Sequence, residues 1–410
     1  MRLLIALLLL FCFDSYVFQA LALVAEGWPS ALRWGSYALF WTLPLLVLAH
    51  WLGIPQLSQL RPYRQGLMWW RSLLIIAYLS KFFGALVLLF DDFRRLLLAL
   101  YYHWSGSVAL GLDRSVLNAE IALVVSLIPL VLLTYGMIRN PYRYRVFREK
   151  VPLPNLPEEL VGLKIVQISD IHSGSFTQRE PIKEAIRLIN AERADLVFFT
   201  GDLVNSVAAE MHPFVDIFDK IEARYGVYSI LGNHDYGDYH AWESVAAKRE
   251  NFQNLLATHR RMGWDLMLNE HRLLDIRGHR IAVIGVENYS ASARFHKYGD
   301  LSRAYAGTEG ASLKLLLSHD PSHWEAEVTQ RPAFSDIAIT FSGHTHGMQF
   351  GIEIPGWWRW SPIQYVYRKW AGLYREGKQY LYVNRGLGFL GYPGRVGILP
   401  EITVVELEKA

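Results

Sequence analysis

The sequence predicts an α/β domain behind an all-helical membrane region of about four spans. Three observations carry this reading. Four apolar stretches crowd into the first third of the 410 residues, short β-rich runs alternate with amphipathic stretches after residue 163, and polar residues follow those runs one after another.

The apolar stretches are Leu3 to Ala25, Ser36 to Gly53, Ser72 to Phe90 and Glu120 to Met137, each near the length that crosses about 30 Å of hydrocarbon. Asp14 interrupts the first and Lys81 lies mid-way along the third, while Pro44 and Pro129 fall where bilayer helices tolerate proline. Arg2, the run Leu3 to Phe13 and Ala20-Leu21-Ala22 also fit a cleaved signal peptide, an alternative for the first span that leaves the other three oriented as before. Arg2, Arg61, Arg64, Arg71, Arg139, Arg143, Arg145, Arg148 and Lys150 fall on one side, against Arg33, Arg94, Arg95 and Arg114 on the other. Positive-inside bias then predicts a cytoplasmic carboxy-terminal domain. Phe93 to Trp104 reads as a separate interfacial helix. Lys81 has two readings: pairing with Asp14 or an anionic lipid group, or snorkelling to the interface.

Composition narrows the function classes. A net charge of +3 without a polybasic tail argues against a nucleic-acid partner. Cys12, the single cysteine, excludes an internal disulfide framework and a thiolate metal site. Residues 140 to 163, NPYRYRVFREKVPLPNLPEELVGL, shift abruptly to basic and aromatic alternation followed by prolines, which predicts a boundary with an edge strand over Tyr142 to Val151. Residues 1–138 are thus expected to form the anchor, 139–162 an interfacial linker and edge strand, and 163–410 the soluble domain.

In that domain the predicted strands are Lys164 to Ser169, Leu196 to Thr200, Val227 to Leu231, Ile281 to Val286, Leu313 to Ser318, Ile337 to Phe341, Tyr380 to Asn384 and Ile402 to Leu407. Between the first two, REPIKEAIRLINAER has apolar residues at helical spacing. Five of the runs are followed by SDIH, TGDL, LGNHD, SHD and SGHTH, which supply Asp170, His172, Asp202, Asn233, His234, Asp235, His319, His344 and His346. The carboxyl ends of strands border the ligand crevice of an open α/β sheet, so groups spread over more than 170 residues of sequence can converge there. Carboxylates, imidazoles and one carboxamide oxygen suit a hard or borderline divalent metal. Seven ligands exceed the need of one ion, and a shared carboxylate would seat two. Taken singly, Asp-x-His, Gly-Asp or Ser-His is more often a turn or a core hydrogen bond; the ordered series of five is what separates chemistry from structure.

These five blocks, D-x-H, G-D, G-N-H-D, H and G-H-T-H-G-x-Q, resemble those of the calcineurin-like metallophosphoesterase superfamily, in particular its bacterial membrane-anchored branch. The resemblance implies a four-layer α/β/β/α sandwich over residues 163–410 and a binuclear hydrolase that attacks phosphorus with a metal-bridging hydroxide. It implies that Asp170, His172, Asp202 and His346 hold one ion and Asp202, Asn233, His319 and His344 the other, the pair being Mn, Fe, Zn or Mg. His234 would stabilise the transition state or protonate the leaving oxygen, with Asp235 fixing its tautomer. His344 and His346 are expected to reach different ions from alternate positions of an extended segment, with Thr345 turned away.

Context bears on the substrate. The segment 354 to 374 combines Trp357, Trp358, Trp360 and Trp370 with Arg359, Arg368 and Lys369, which suits a headgroup-level contact as well as an aromatic core under a loop. Arg385 and Arg395 fit a grip on phosphate or, alternatively, surface salt bridges, and Tyr236, Tyr239 and His240 fit a pocket wall. The leading expectation is a hydrolase of a phosphorylated, lipid-linked or amphiphilic substrate, in contact with membrane lipids on the cytoplasmic face of a bacterial inner membrane. A general phosphodiesterase on soluble nucleotide-type substrates and a non-catalytic metal-binding module are the alternatives.

Overall fold

The computed structural model describes residues 2–53, 61–108, 111–354 and 357–410, and the chain divides into two compact units, Met1–Ile138 and Arg139–Ala410.

The first unit is four helices: α1 (Arg2–Val24), α2 (Ser30–Gly53), α3 (Arg61–Ser105) and α4 (Val116–Arg139). All four are long and apolar enough to cross a membrane. α3 differs from expectation: it continues without a break through Phe93 to Trp104, so no separate interfacial helix forms. At 45 residues it is roughly 68 Å long, about twice a hydrocarbon core. Asp91 and Asp92, just before that continuation, pair with Arg94 and Arg95 within it at 2.9 Å each, and Arg114 adds a third guanidinium that reaches Asp92 at 2.7 Å. Lys81 and Asp14 pair at 2.6 Å, Tyr78 donates to the same carboxylate at 3.0 Å, and the ammonium stands 3.9 Å from the centre of the Phe40 ring. Of the two readings of Lys81, the pairing with Asp14 is the one adopted.

The second unit stacks two six-stranded sheets. The first contains β1 (Arg145–Leu153), β2 (Lys164–Ile168), β3 (Leu196–Phe199), β4 (Val227–Ser229), β5 (Asp265–Leu266) and the last strand, Glu401–Lys409, in the order β1, last strand, β2, β3, β4, β5. The second contains β6 (Glu270–Ile276), β7 (His279–Gly285), β8 (Leu313–Leu317) and β9 (Ile337–Ser342). The hairpin β10 (Ile352–Ile354) and β11 (Trp358–Trp360) stands apart as its own sheet; β12 (Gly372–Glu376) and β13 (Gln379–Val383) complete the second sheet in the order β12-β13-β9-β8-β7-β6, and β14 (Glu401–Lys409) is the last strand. β1 is the edge strand, parallel to β14.

One core lies between the sheets, where Phe198 of β3 meets Phe341 of β9 with ring centres 5.1 Å apart. A second lies outside the second sheet, where Ala282, Ile284 and Leu316 pack on Trp324 and on the short helix Leu301–Tyr305. Outside the first sheet lie α5 (Glu180–Ala191), α6 (Val215–Phe218) and α7 (Val245–Arg261). α5 starts on a proline in its first turn, Pro181, and buries Ile182, Ala185, Ile186 and Ile189 at i, i+3, i+4, i+7. The result is the four-layer α/β/β/α sandwich. β2, β3 and β4 run parallel, as do β7, β8 and β9, so the carboxyl ends of both sheets open at one place. α7 also brings an imidazole into the core: His259 is fully buried, with Nδ1 3.0 Å from the Ser229 hydroxyl.

Candidate metal centre

Each strand that ends at the site turns at once into a tight loop. Asp170, His172, Asp202, His344 and His346 all have φ between 47° and 70°, the left-handed region that costs a non-glycine residue energy. The expectation of an extended segment carrying His344 and His346 is therefore corrected: β9 stops at Ser342, and left-handed turns, not strand alternation, aim the two rings. Two glycines permit the crowding. A Cβ on Gly232 would stand 2.2 Å from the Asp202 carboxylate, and one on Gly343 2.2 Å from that of Asp170.

Six of the seven predicted ligands converge in two groups of three, and the seventh, Asn233, lines the same cleft. Asp170, His172 and His346 form one, with the two Nε2 atoms 3.0 Å apart and His346 Nε2 3.2 Å from the Asp170 carboxylate. Asp202, His319 and His344 form the other, with His319 Nε2 facing His344 Nδ1 at 3.2 Å. One oxygen of Asp202 lies 3.2 Å from His319 Nε2 and 3.5 Å from His172 Nε2, which puts this carboxylate between the groups. Asn233 donates its amide to the Tyr239 hydroxyl at 3.0 Å, leaving its buried Oδ1 without a hydrogen-bond partner.

This donor set fits a pair of divalent cations. Lone-pair nitrogens facing one another at hydrogen-bond distance can share only one proton, and ligands about 2.0–2.2 Å from a common ion sit about this far apart. A buried carboxamide oxygen left unpaired costs about 1–3 kcal/mol unless something binds it. Burial disfavours protonation of His319, yet the Asp202 carboxylate outweighs burial and raises the imidazole to about 10, so the site attracts positive charge.

The groups behind the ligands decide which atom each presents. His319 Nδ1 is 2.8 Å from the Thr200 carbonyl, which reserves Nε2 for the centre. His344 turns the other way: Nε2 meets the Tyr367 hydroxyl at 2.9 Å, and that hydroxyl donates to Asp320 at 3.1 Å. Asp320 has a sequence signal, its place in the block SHD beside His319, whereas Tyr367, some fifty residues on, has none.

Four expectations for flanking residues are corrected. Asp235 does not touch the His234 ring. Its carboxylate accepts the amides of Gly232, Asp202 and Leu203 at 2.9 Å each and that of Val204 at 3.3 Å, binding the two ligand loops together. Burial and the neighbouring Asp202 charge push its carboxyl up to about 7, against those amides, which favour the ionised form. His234 instead holds its Nδ1 2.7 Å from the Asn205 carbonyl and is half-buried at the cleft. Tyr236 is buried, donates to Glu287 at 3.1 Å and stacks on Tyr298, away from the cleft; Tyr239, with its ring 4.6 Å from that of His234, stands beside the site instead. Arg385 is buried between Glu401 at 2.6 Å and Glu353. Arg395 spends its guanidinium on the carbonyls of Arg385, Gly386 and Gly388, and the loop it braces donates the Gly388 amide to the Asp170 carbonyl at 2.9 Å. Neither arginine reaches the cleft, because buried guanidinium groups need fixed acceptors and found them in the protein.

The cleft over the two groups measures about 910 Å³. His172, Asp202, Asn233, His234, His344 and His346 form its floor. Phe295, Met348, Pro362, Ile363, Val366 and Leu390 give it an apolar wall, and Arg294 and Arg368 stand exposed on its rim. Of the segment 354–374, Trp370 is buried against Ala371 and Ile398, whereas Trp357 and Trp358 are exposed; residues 355 and 356 lie outside the described residues.

Comparison with known proteins agrees with this geometry. The family described as "Calcineurin-like phosphoesterase" matches residues 163–348, and that described as "Probable Calcineurin-like phosphoesterase, transmembrane domain" matches residues 1–141. A "Transmembrane protein with metallophosphoesterase domain" of Danio rerio is 30% identical over 292 residues, which are 69% of this chain and 62% of that protein, so the chain spans less than two thirds of that relative. The "Uncharacterized metallophosphoesterase YkuE" of Bacillus subtilis is 29% identical over 67% of this chain and 90% of its own length. An "Uncharacterized metallophosphoesterase" of Campylobacter jejuni is 27% identical over 83% of this chain and 82% of its own.

Proposed function

This chain carries a calcineurin-like phosphoesterase domain behind that family's transmembrane domain, and from this premise we propose that it hydrolyses a phosphoester or pyrophosphate bond of a lipid-linked or amphiphilic substrate. The observation that carries the reaction class is the Asp202 carboxylate placed between two ligand groups. Asp170, His172, Asp202 and His346 would hold one cation, and Asp202, Asn233, His319 and His344 the other. Two divalent ions, Mn, Fe, Zn or Mg, supply Lewis acidity toward the phosphoryl oxygens and lower the pKa of water.

The chain's own residues do the rest. With Nδ1–H committed to the Asn205 carbonyl, Nε2 of His234 is the atom left for proton transfer: as the imidazolium it would give its Nε2 proton to the leaving oxygen and become the neutral Nδ1–H tautomer. Tyr239 holds the Asn233 amide nitrogen, which leaves Oδ1 as the atom that would bind the second cation. Arg294 and Arg368, in place of Arg385 and Arg395, would meet the anionic part of the substrate at the rim. The apolar wall favours a substrate with a hydrocarbon part, since a site for a nucleotide alone has little use for Met348, Ile363 and Leu390 on one side. The excess of Lys and Arg on one side of the spans supports a cytoplasmic domain on a bacterial inner membrane, which a reporter fused after Ala410 would test.

The deciding experiment uses full-length protein in nanodiscs, metal-loaded or chelated, with Asp202→Asn as control. Hydrolysis that needs metal and falls on the order of a hundredfold in the variant is expected. Metal binding without turnover of any phosphoester would leave the non-catalytic reading. Cells carrying Asp202→Asn should accumulate a phosphorylated lipid; turnover of a soluble aryl phosphodiester with no such accumulation would move the assignment to soluble substrates.

A further inference from the structure

The hairpin β10–β11 presents its faces in the reverse of the order expected for water. Residues directly opposite in an antiparallel pair share a face, so Ile352 with Trp360 and Ile354 with Trp358 occupy one side, and Glu353 with Arg359 the other. The charged side packs inward. Glu353 receives Arg385 and is 12% exposed, and Arg359 lies over the rings of Trp370 and Tyr374. The apolar side faces out, with Ile352 50%, Ile354 42%, Trp358 49% and the adjoining Trp357 81% exposed. A solvated antiparallel sheet does the opposite, and clustered exposed Ile and Trp mark a surface with an occupant. The patch is continuous with the metal cleft: exposed Phe350 and Met348 lead back along the chain to His346, and Met348 lines the cleft.

We infer that this ribbon is a membrane-inserting lip of the cleft, seated at the boundary between headgroups and acyl chains. Trp rings favour that boundary, Ile side chains favour the acyl region below it, and the exposed Arg368 on the cleft rim matches headgroup phosphate. Only residues 140–144 join the last span to β1, a reach of roughly 20 Å at full extension, so insertion is an intramolecular step with a high effective concentration. One consequence rests on the proposed lipid-linked substrate: its hydrocarbon end stays on the lip while its phosphate enters the cleft.

The test uses full-length protein with Cys12→Ser in phospholipid nanodiscs, spin-labelled at Trp357→Cys or, as an exposed reference, at Arg261→Cys. The label at 357 should collide several-fold more with oxygen and several-fold less with a water-soluble nickel chelate than the label at 261. Equal nickel access at both positions overturns the lip, and shielding from both reagents overturns it in favour of a protein partner. In parallel, Ile354→Ser with Trp358→Ser should leave hydrolysis of bis(p-nitrophenyl) phosphate unchanged while hydrolysis of a lipid phosphate in the same nanodiscs drops on the order of tenfold. An undiminished lipid rate refutes delivery by the lip. Absence of both activities in the unsubstituted protein refutes the proposed reaction, and the label accessibilities still decide the lip.

Discussion

Asp235→Asn separates two accounts of the residue next to His234. If Asp235 fixed the imidazole tautomer, the substitution would distort the pH profile of turnover and spare everything else. In the structure its two oxygens each accept two buried amides, from Gly232 and Asp202 on one and from Leu203 and Val204 on the other. An asparagine keeps one oxygen and turns an NH2 toward the other pair, so two buried N–H groups lose their acceptor. At about 1–3 kcal/mol each, the cost is about 2–6 kcal/mol, a large part of the stability of a typical domain. One of the amides belongs to Asp202, so part of this cost appears as weaker metal binding, with tenfold in affinity for every ~1.4 kcal/mol. Metal affinity measured by competition with a chelator, together with the unfolding midpoint of the holoprotein, should both fall. A variant with unaltered affinity and midpoint but a shifted pH–rate profile would refute the structural role and restore the tautomer one.

Three further outcomes are expected. Tyr367→Phe removes the hydroxyl between His344 and Asp320 and should weaken binding of one of two metal equivalents about tenfold, read by metal titration. Burial lowers His259 to about 3, below its unfolded value near 6.5, so the unfolded chain binds the extra proton and stability is lost as pH falls below about 6.5, by ~1.4 kcal/mol per unit. Unfolding midpoints from pH 7 to 5 should show this slope, and His259→Gln should flatten it; an equal slope in the variant would assign the acid sensitivity elsewhere. Lys81→Met leaves Asp14 buried without its cation and should lower the thermal midpoint of the membrane unit in nanodiscs, whereas adding Asp14→Asn should recover much of the loss. Failure of the double variant to recover would mean the ammonium acts through the Phe40 ring instead.

The sequence by itself determined what depends on local pattern. Apolar length defined four candidate membrane helices, short β-rich apolar runs and an amphipathic α5 defined the strands and layers of the sandwich, and the polar residues after five strand ends marked the candidate metal centre. These are legible because a strand end and a loop are neighbours in the chain, and parallel strands must deliver their carboxyl ends to one edge. Strands too short to form such a run, such as β5 and β11, left no such trace. Tertiary structure alone decided partners. Arg385 meets Glu401 and Glu353, Arg395 meets three carbonyls, and Asp235 serves the backbone of Asp202, because each lies where a distant segment offers the better acceptor. Residue type says that a guanidinium or a carboxylate must be satisfied when buried; only the packing of both sheets says by what. The same holds for β10 and β11, whose alternation was open to either orientation until Arg385 took Glu353 and left Ile354 and Trp358 facing outward.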